Sequence, residues 1–191
     1  MLNVNGIFKI EYNVLGPFER VGVWFQGCSI RCKNCFVPEL WSFKPNKMFS
    51  ANELFKEVEK FKLKEITLSG GEPFDQDKKE FYKFLKILRK NEYGIWVYSG
   101  YTIEELIERG FYKHLKLIDV LVDGRYVDDL NNNEVWKGSS NQRIILLTNR
   151  YKNITLERNR KLQFIVVNNE FFVIGIPKRN FWKKFYSLIT D

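Results

Sequence analysis

Thiols are scarce in this chain of 191 residues: there are three cysteines, all between Cys28 and Cys35. An odd, tightly clustered set excludes a disulfide framework, so whatever these thiols do, they do together and at one place. Histidine is scarcer still, with His114 alone. No apolar run reaches the roughly 18 residues that a membrane-spanning helix needs. The opening MLNVNGIFKIEYN has no basic flank followed by an apolar stretch, so it does not read as a signal peptide, and the cytoplasm is the expected location. Internal repeats and low-complexity stretches are absent as well.

What is present suits a globular protein. Hydrophobic residues make up 45% and charged residues 28%, enough to build one core and too apolar for disorder. The net charge of +8 is unevenly placed. From Thr148 to the end, nine Lys/Arg stand against three Asp/Glu, so this last part carries +6 and the rest only +2. The chain therefore divides into a nearly neutral body, residues 1–147, and a basic extension, residues 148–191.

Patterning gives the order of elements. Arg20–Gln26 (RVGVWFQ) reads as a strand that ends at Gly27, with the cysteines on the loop beyond it. Ser50 and Glu53 form a capping box ahead of Leu54, Phe55, Val58 and Phe61 at helical spacing. Glu65–Leu68 is a short strand broken by Ser69-Gly70-Gly71, and Phe81, Phe84, Leu85 and Leu88 mark one face of a second helix. Ile95–Tyr98 is a strand ending at Ser99-Gly100. Thr102 and Glu105 form another capping box, with Gly110 as the helix stop. Leu117–Val122 is a fourth strand, running into Asp123-Gly124. Strands alternating with helices imply βαβ units and a parallel sheet. About four units are too few for a closed eight-fold barrel of roughly 250 residues, so an α/β open, partial (βα) barrel is expected. Every chemically suggestive segment follows the C-terminal end of one of these strands, the edge where α/β folds bind ligands. Beyond Asn141 the pattern changes. Ile144–Leu147 suggests one more strand. Gln163–Val167 and Phe171–Ile174, joined through Asn168-Asn169, read as a hairpin, and Phe181, Trp182, Phe185, Leu188 and Ile189 as a short amphipathic helix.

Thiolates are soft ligands for iron–sulfur clusters, zinc or copper(I). A structural zinc site normally needs four ligands, and here the fourth would have to be His114. A cubane cluster usually takes four cysteines. Three leave one iron without a protein ligand, free to coordinate a small molecule. Ordinary core packing of the three is a further reading, weakened by Ser29, Arg31, Lys33 and Asn34 between them.

Cys28-x-x-x-Cys32-x-x-Cys35, followed after the next strand by Gly70-Gly71-Glu72-Pro73, resembles the signature of the radical S-adenosylmethionine (SAM) superfamily. The likeness goes further. Residues 27–41 (GCSIRCKNCFVPELW), 67–73 (TLSGGEP), 95–101 (IWVYSGY), 120–126 (VLVDGRY) and 136–142 (WKGSSNQ) are similar, in the same order, to the activating proteins of anaerobic ribonucleotide reductase. The resemblance covers roughly residues 10–147. It implies a partial barrel of the radical SAM type, carrying a C-terminal hairpin and short helix. It also implies one [4Fe–4S] cluster on Cys28, Cys32 and Cys35, with SAM chelating the open iron. SAM contacts are implied at Asn34, Phe36, Gly70, Gly71, Glu72, Pro73 and Ser99. Asp123-Gly124-Arg125 resembles the Asp-x-Lys of related activases, so Asp123 and Arg125 are implied beside the SAM carboxylate; arginine keeps the charge but changes the geometry.

The implied activity is reductive cleavage of SAM and formation of a glycyl radical on a partner enzyme. The partner would be anaerobic ribonucleotide reductase, and the electron donor a protein such as flavodoxin or ferredoxin. Neither a membrane nor nucleic acid is expected as a partner. Two alternatives stay open on the residues alone: a radical SAM enzyme acting on a nucleoside-like small molecule or a peptide, and a zinc-stabilised nucleic-acid-binding module. Peptide maturases with auxiliary clusters need further cysteines, which this chain lacks. The basic extension reads either as a docking arm or as a cap that buries Phe181, Phe185 and Leu188.

Overall fold

The computed structural model describes residues 1–155, 159–167 and 170–189. The chain opens with β1 (Leu2–Ile10), β2 (Arg20–Phe25) and β3 (Lys47–Phe49). Next come α1 (Ala51–Glu59), β4 (Glu65–Gly70), α2 (Lys78–Lys90) and β5 (Gly94–Tyr98). The body is completed by α3 (Ile103–Glu108), α4 (Tyr112–Leu115), β6 (Val120–Asp123) and β7 (Arg143–Leu146). The extension supplies β8 (Leu162–Val167), β9 (Glu170–Gly175) and α5 (Phe181–Ile189). Seven strands form one sheet in the order β3-β1-β2-β4-β5-β6-β7, while β8 and β9 pair only with each other. The central strands β2, β4, β5 and β6 are parallel; the flanking pairs β1–β2, β1–β3 and β6–β7 are antiparallel. Helices join the four parallel strands, the α/β arrangement that the sequence pattern implies.

Local chemistry explains the elements. Both capping boxes close reciprocally. Ser50 Oγ accepts from Glu53 N at 3.3 Å while Glu53 takes the Ser50 N–H at 2.8 Å, and Thr102 and Glu105 repeat this at 3.2 and 2.8 Å. Such caps contribute about 1 kcal/mol each. In α2, Phe81, Phe84, Leu85 and Leu88 are fully buried, each stabilising the fold by roughly 1.5–3 kcal/mol. Strand residues alternate. Val21, Val23, Phe25, Ile66, Leu68, Ile95, Val97 and Leu121 pack under the helices, and Trp24, Trp96, Tyr98, Val120 and Val122 face the other way.

That second face is filled by Trp96 against Trp136, with ring centroids 5.2 Å apart, and by a wholly buried Arg20. The Arg20 guanidinium lies 5.5 Å over the Trp96 ring and donates to Thr67 Oγ1 and the Pro17 carbonyl. The extension is fastened here too. Ile174 is buried with Ile10, Val14 and Leu15, and Phe172 packs against Phe8. Gln163 bridges the end of β1, donating to Lys9 O and accepting from Glu11 N. Arg160 donates to Asn131 Oδ1 and to the carbonyls of Glu134, Lys137, Gly138 and Pro177.

Several expectations need correction. β1 lay outside the sequence pattern because its register slips between Val4 and Gly6, which breaks the alternation. β3 is three residues long and α4 four, below any periodic signal. β6 starts at Val120 rather than Leu117. The N–H groups of Leu117 and Ile118 turn back onto His114 and Leu115, and the Asp119 carboxylate takes the Ile95 N–H. The hairpin forms its own small sheet, with the Asn168-Asn169 link outside the described residues. Phe181 and Phe185 are half-buried, but Leu188 is 80% exposed, so α5 does not bury all three apolar residues of a cap. Among the described residues no helix is long and apolar enough to cross a membrane.

Candidate functional site

The cysteine loop starts where β2 ends. Gly27 N donates to Leu40 O at 2.9 Å and Cys28 N to Trp41 O, so residues 38–41 form a back wall for the loop. Cys35 N closes a turn onto Cys32 O at 3.1 Å. Arg31 and Asn34 take positive φ values of 50° and 59°, which wind the chain tightly between the thiols. A second layer pins the loop. Asp75 Oδ2 accepts from Ser29 N at 2.7 Å, Ser29 Oγ and Tyr101 Oη are 2.7 Å apart, and Tyr101 Oη donates to Asp75 Oδ1.

The Gly-Gly-Glu-Pro loop beyond β4 is zipped to the cysteine loop. Gly71 N donates to Phe25 O at 2.8 Å and Glu72 N to Gly27 O at 2.9 Å. The approach is too close for a side chain: a Cβ on Gly71 would sit 2.3 Å from Gly27 O. Glu72, only 1% exposed, accepts from Phe74 N, Ser99 Oγ and Gly100 N, tying the β4 loop to the β5 loop. Burial pushes its pKa up to about 7 against those three hydrogen bonds. Glu72 and Ser99 are thus partners of each other.

The β6 loop forms the opposite rim. Asp123, 1% exposed, accepts from Ile103 N and pairs with Arg143. Arg125 is about half exposed and forms an ion pair with Glu105 at 2.9 Å. The 136–142 block braces this loop: Gln142 donates to Gly124 O at 2.7 Å and Asn141 to Arg125 O at 2.8 Å. Ser139 starts no helix; its Oγ accepts from Val127 N. The Tyr126 ring packs 4.8 Å from Phe36, and Tyr126 Oη donates to Asp128, which also accepts from Asn34.

Together these loops enclose a cavity of about 170 Å³. All three cysteines line it, with Phe36, Gly70, Gly71, Glu72 and Ser99 of the expected residues. Asn34, Pro73, Asp123 and Arg125 stand around it without lining it. The sequence reading missed Tyr98, Tyr126 and Gln142 in the wall, and Ile176 from the extension. Tyr98 sits at the C-terminal end of β5, a position that itself marks a candidate. Its hydroxyl is buried and unpartnered among the described residues, an orphan polar group in the wall of the cavity.

The donor set suits a cluster. Burial pushes the Cys28 thiol up to about 11, opposed by the N–H groups of Arg31 and Ile30; Cys32 is raised by burial and opposed by the Tyr126 N–H. Thiolates here therefore need a cation, and the backbone donors are placed to support sulfur ligands. His114 is elsewhere, with Nε2 2.9 Å from Lys78 O and its ring against Phe81 and Phe111. No histidine lines the cavity, which removes the fourth ligand of the zinc reading.

Comparison with known proteins gives the same picture. The model of the 4Fe-4S single cluster domain matches residues 14–145. The anaerobic ribonucleoside-triphosphate reductase-activating protein of Enterobacteria phage T4 is 30% identical over 149 residues, 75% of this chain and 93% of that protein. The protein of the same name from Escherichia coli K12 is 32% identical over 150 residues, covering 74% and 96%. The pyruvate formate-lyase-activating enzyme of Clostridium pasteurianum is 36% identical over 127 residues, covering 60% and 49%. With its cysteines, glycine loop and braced rim in one cavity, the chain belongs to the 4Fe–4S single-cluster-domain family and, within it, to the radical SAM activating proteins of anaerobic ribonucleoside-triphosphate reductase, enzymes that work with one [4Fe–4S] cluster and SAM.

Proposed function

We propose that this chain generates the glycyl radical of an anaerobic ribonucleoside-triphosphate reductase, with Cys28, Cys32 and Cys35 as the three cluster ligands. The observation that supports this most is the meeting of three thiols and the Gly70-Gly71 backbone in one cavity at the C-terminal ends of β2, β4, β5 and β6. Held by the three thiols, a [4Fe–4S] cluster would supply the electron for reductive cleavage of SAM and so the means of removing a hydrogen atom from a partner glycine. The residues of the chain bind, orient and keep dry. Gly70 and Gly71 present backbone to SAM at close range, and Phe36 with Tyr126 gives an aromatic wall. Glu72 holds this edge rigid through Ser99 and Gly100. Asn34 and Pro73 flank the cavity, and Asp123 fixes the start of the loop that carries Arg125. Arg125 meets the SAM carboxylate by exchanging Glu105 for it, one carboxylate for another.

The open sheet curves as a partial barrel, the reductant is a protein of the flavodoxin or ferredoxin kind, and the enzyme works in the cytoplasm. Residues 148–191 are read as a basic extension, whose described part packs on the body through Ile174, Phe172 and Arg160. The test is anaerobic reconstitution followed by iron and sulfide analysis. About four of each per chain are expected, and Ala at any one of the three cysteines should abolish them. Stoichiometric zinc without iron in anaerobically purified protein would overturn the proposal.

A further inference from the structure

The family model stops at residue 145, yet the extension beyond it contributes to the active cavity. Ile176, just after β9, lines the cysteine cavity on one side and a second cavity of about 400 Å³ on the other. The second cavity is a groove between the hairpin and α5, lined by Leu162, Ile176, Phe181 and Phe185, with the exposed Leu188 at its rim. Large apolar residues are exposed on the same extension, at Phe164 50%, Val166 70%, Phe171 48%, Tyr186 57% and Leu188 80%, the last of them lining the groove. Such a concentration on a short extension marks an interaction surface.

Charge says what kind of partner fits. Arg160 and Arg179 are committed to holding the extension in place, Arg179 through Asp128 and Asp129. Lys178 and Lys184, also on the groove, have no side-chain partner among the described residues. The groove is thus an apolar surface with two spare cations, and Ile176 is the wall it shares with the cavity of the cysteines.

We propose that this groove receives the glycine-bearing polypeptide segment of the reductase. An acidic residue of the segment meets Lys178 and Lys184, an apolar side chain fills the space above Phe185, and the glycine passes Ile176 toward the cysteines. The proposal rests on the activase reading above and extends it by naming the entry surface. A second copy of this chain and a lipid surface are the competing occupants of so apolar a groove.

The experiment uses the full, anaerobically reconstituted chain and the anaerobic ribonucleoside-triphosphate reductase of the same organism. Affinity is measured by calorimetry at low and physiological salt, and the glycyl radical by electron paramagnetic resonance (EPR). The double variant Lys178→Glu/Lys184→Glu should bind the reductase about tenfold more weakly and give less radical at sub-saturating reductase. Wild-type affinity should fall as salt rises. Leu188→Asp, at a residue too exposed to serve the fold, should weaken binding independently of salt, and Lys178→Arg/Lys184→Arg should bind as wild type. Iron content and circular dichroism identify misfolded samples, which Leu188→Asp makes avoidable. Normal binding and radical yield in both the charge-reversed and the Leu188 variants overturns the proposal. So does self-association or vesicle binding that Leu188→Asp abolishes while reductase binding persists. The parent reading is checked apart, by SAM cleavage in the wild-type chain without reductase; its failure there leaves the binding result to judge the groove alone.

Discussion

Replacing Glu72 by glutamine exchanges a buried acid for a neutral isostere at the strut that joins two site loops. Glu72 Oε1 accepts from Phe74 N and Ser99 Oγ, and Oε2 accepts from Gly100 N. Glutamine keeps the first two bonds but turns an NH₂ donor toward the Gly100 N–H. One bond is lost and two donors, the amide NH₂ and the Gly100 N–H, are left facing each other, a cost of about 1–3 kcal/mol. Ionisation works in the opposite direction. Burial raises the Glu72 pKa from 4.5 to about 7, so the neutral acid is the form the fold favours. Its contribution to stability is complete below about pH 4.5 and is lost as pH rises through about 7. Between about pH 5.5 and about pH 8.5 the wild type should lose about 2 kcal/mol on this account, and the glutamine variant none. Urea unfolding of the metal-free chain, followed by tryptophan fluorescence at both pH values, measures the difference. The advantage of wild type over variant should shrink by about 2 kcal/mol from the lower pH to the higher. A difference that does not move with pH would refute the buried, ionisable strut.

Gly71→Ala should destabilise the chain by about 2 kcal/mol or more, because its Cβ would sit 2.3 Å from Gly27 O; a melting temperature equal to wild type contradicts this. Arg125→Ala should weaken SAM binding about tenfold while leaving iron content intact, measured by equilibrium binding on the reconstituted protein. Cluster assembly should fail progressively as pH drops, since burial holds the Cys28 proton to about 11 and iron must displace it; loading that is flat with pH contradicts this.

The meeting of the three thiols was legible because they are close in sequence and sit on one loop. The four parallel strands were legible because each is short, β-branched and followed by a glycine-bearing turn. The Ser50 and Thr102 caps were legible because the residue pairs that close them lie three apart. What could not be read depends on pairing across the chain. Glu72 reads as a ligand contact, yet its three partners come from two loops brought together only by the parallel sheet. Asp123 reads as part of a ligand motif, yet Arg143 on the neighbouring antiparallel strand claims it. Ile176 carries no local signal at all; only the folding of the extension onto β1 and β2 brings it to the cavity.

The most direct test of the activase reading is an EPR spectrum. The reconstituted chain is mixed anaerobically with dithionite, SAM and the anaerobic ribonucleoside-triphosphate reductase of the same organism. A glycyl-radical doublet on the reductase is expected, with 5′-deoxyadenosine formed alongside it, and neither should arise when Cys28, Cys32 or Cys35 is alanine. SAM cleavage with no radical on the reductase, or a radical that survives loss of a cysteine, would contradict it.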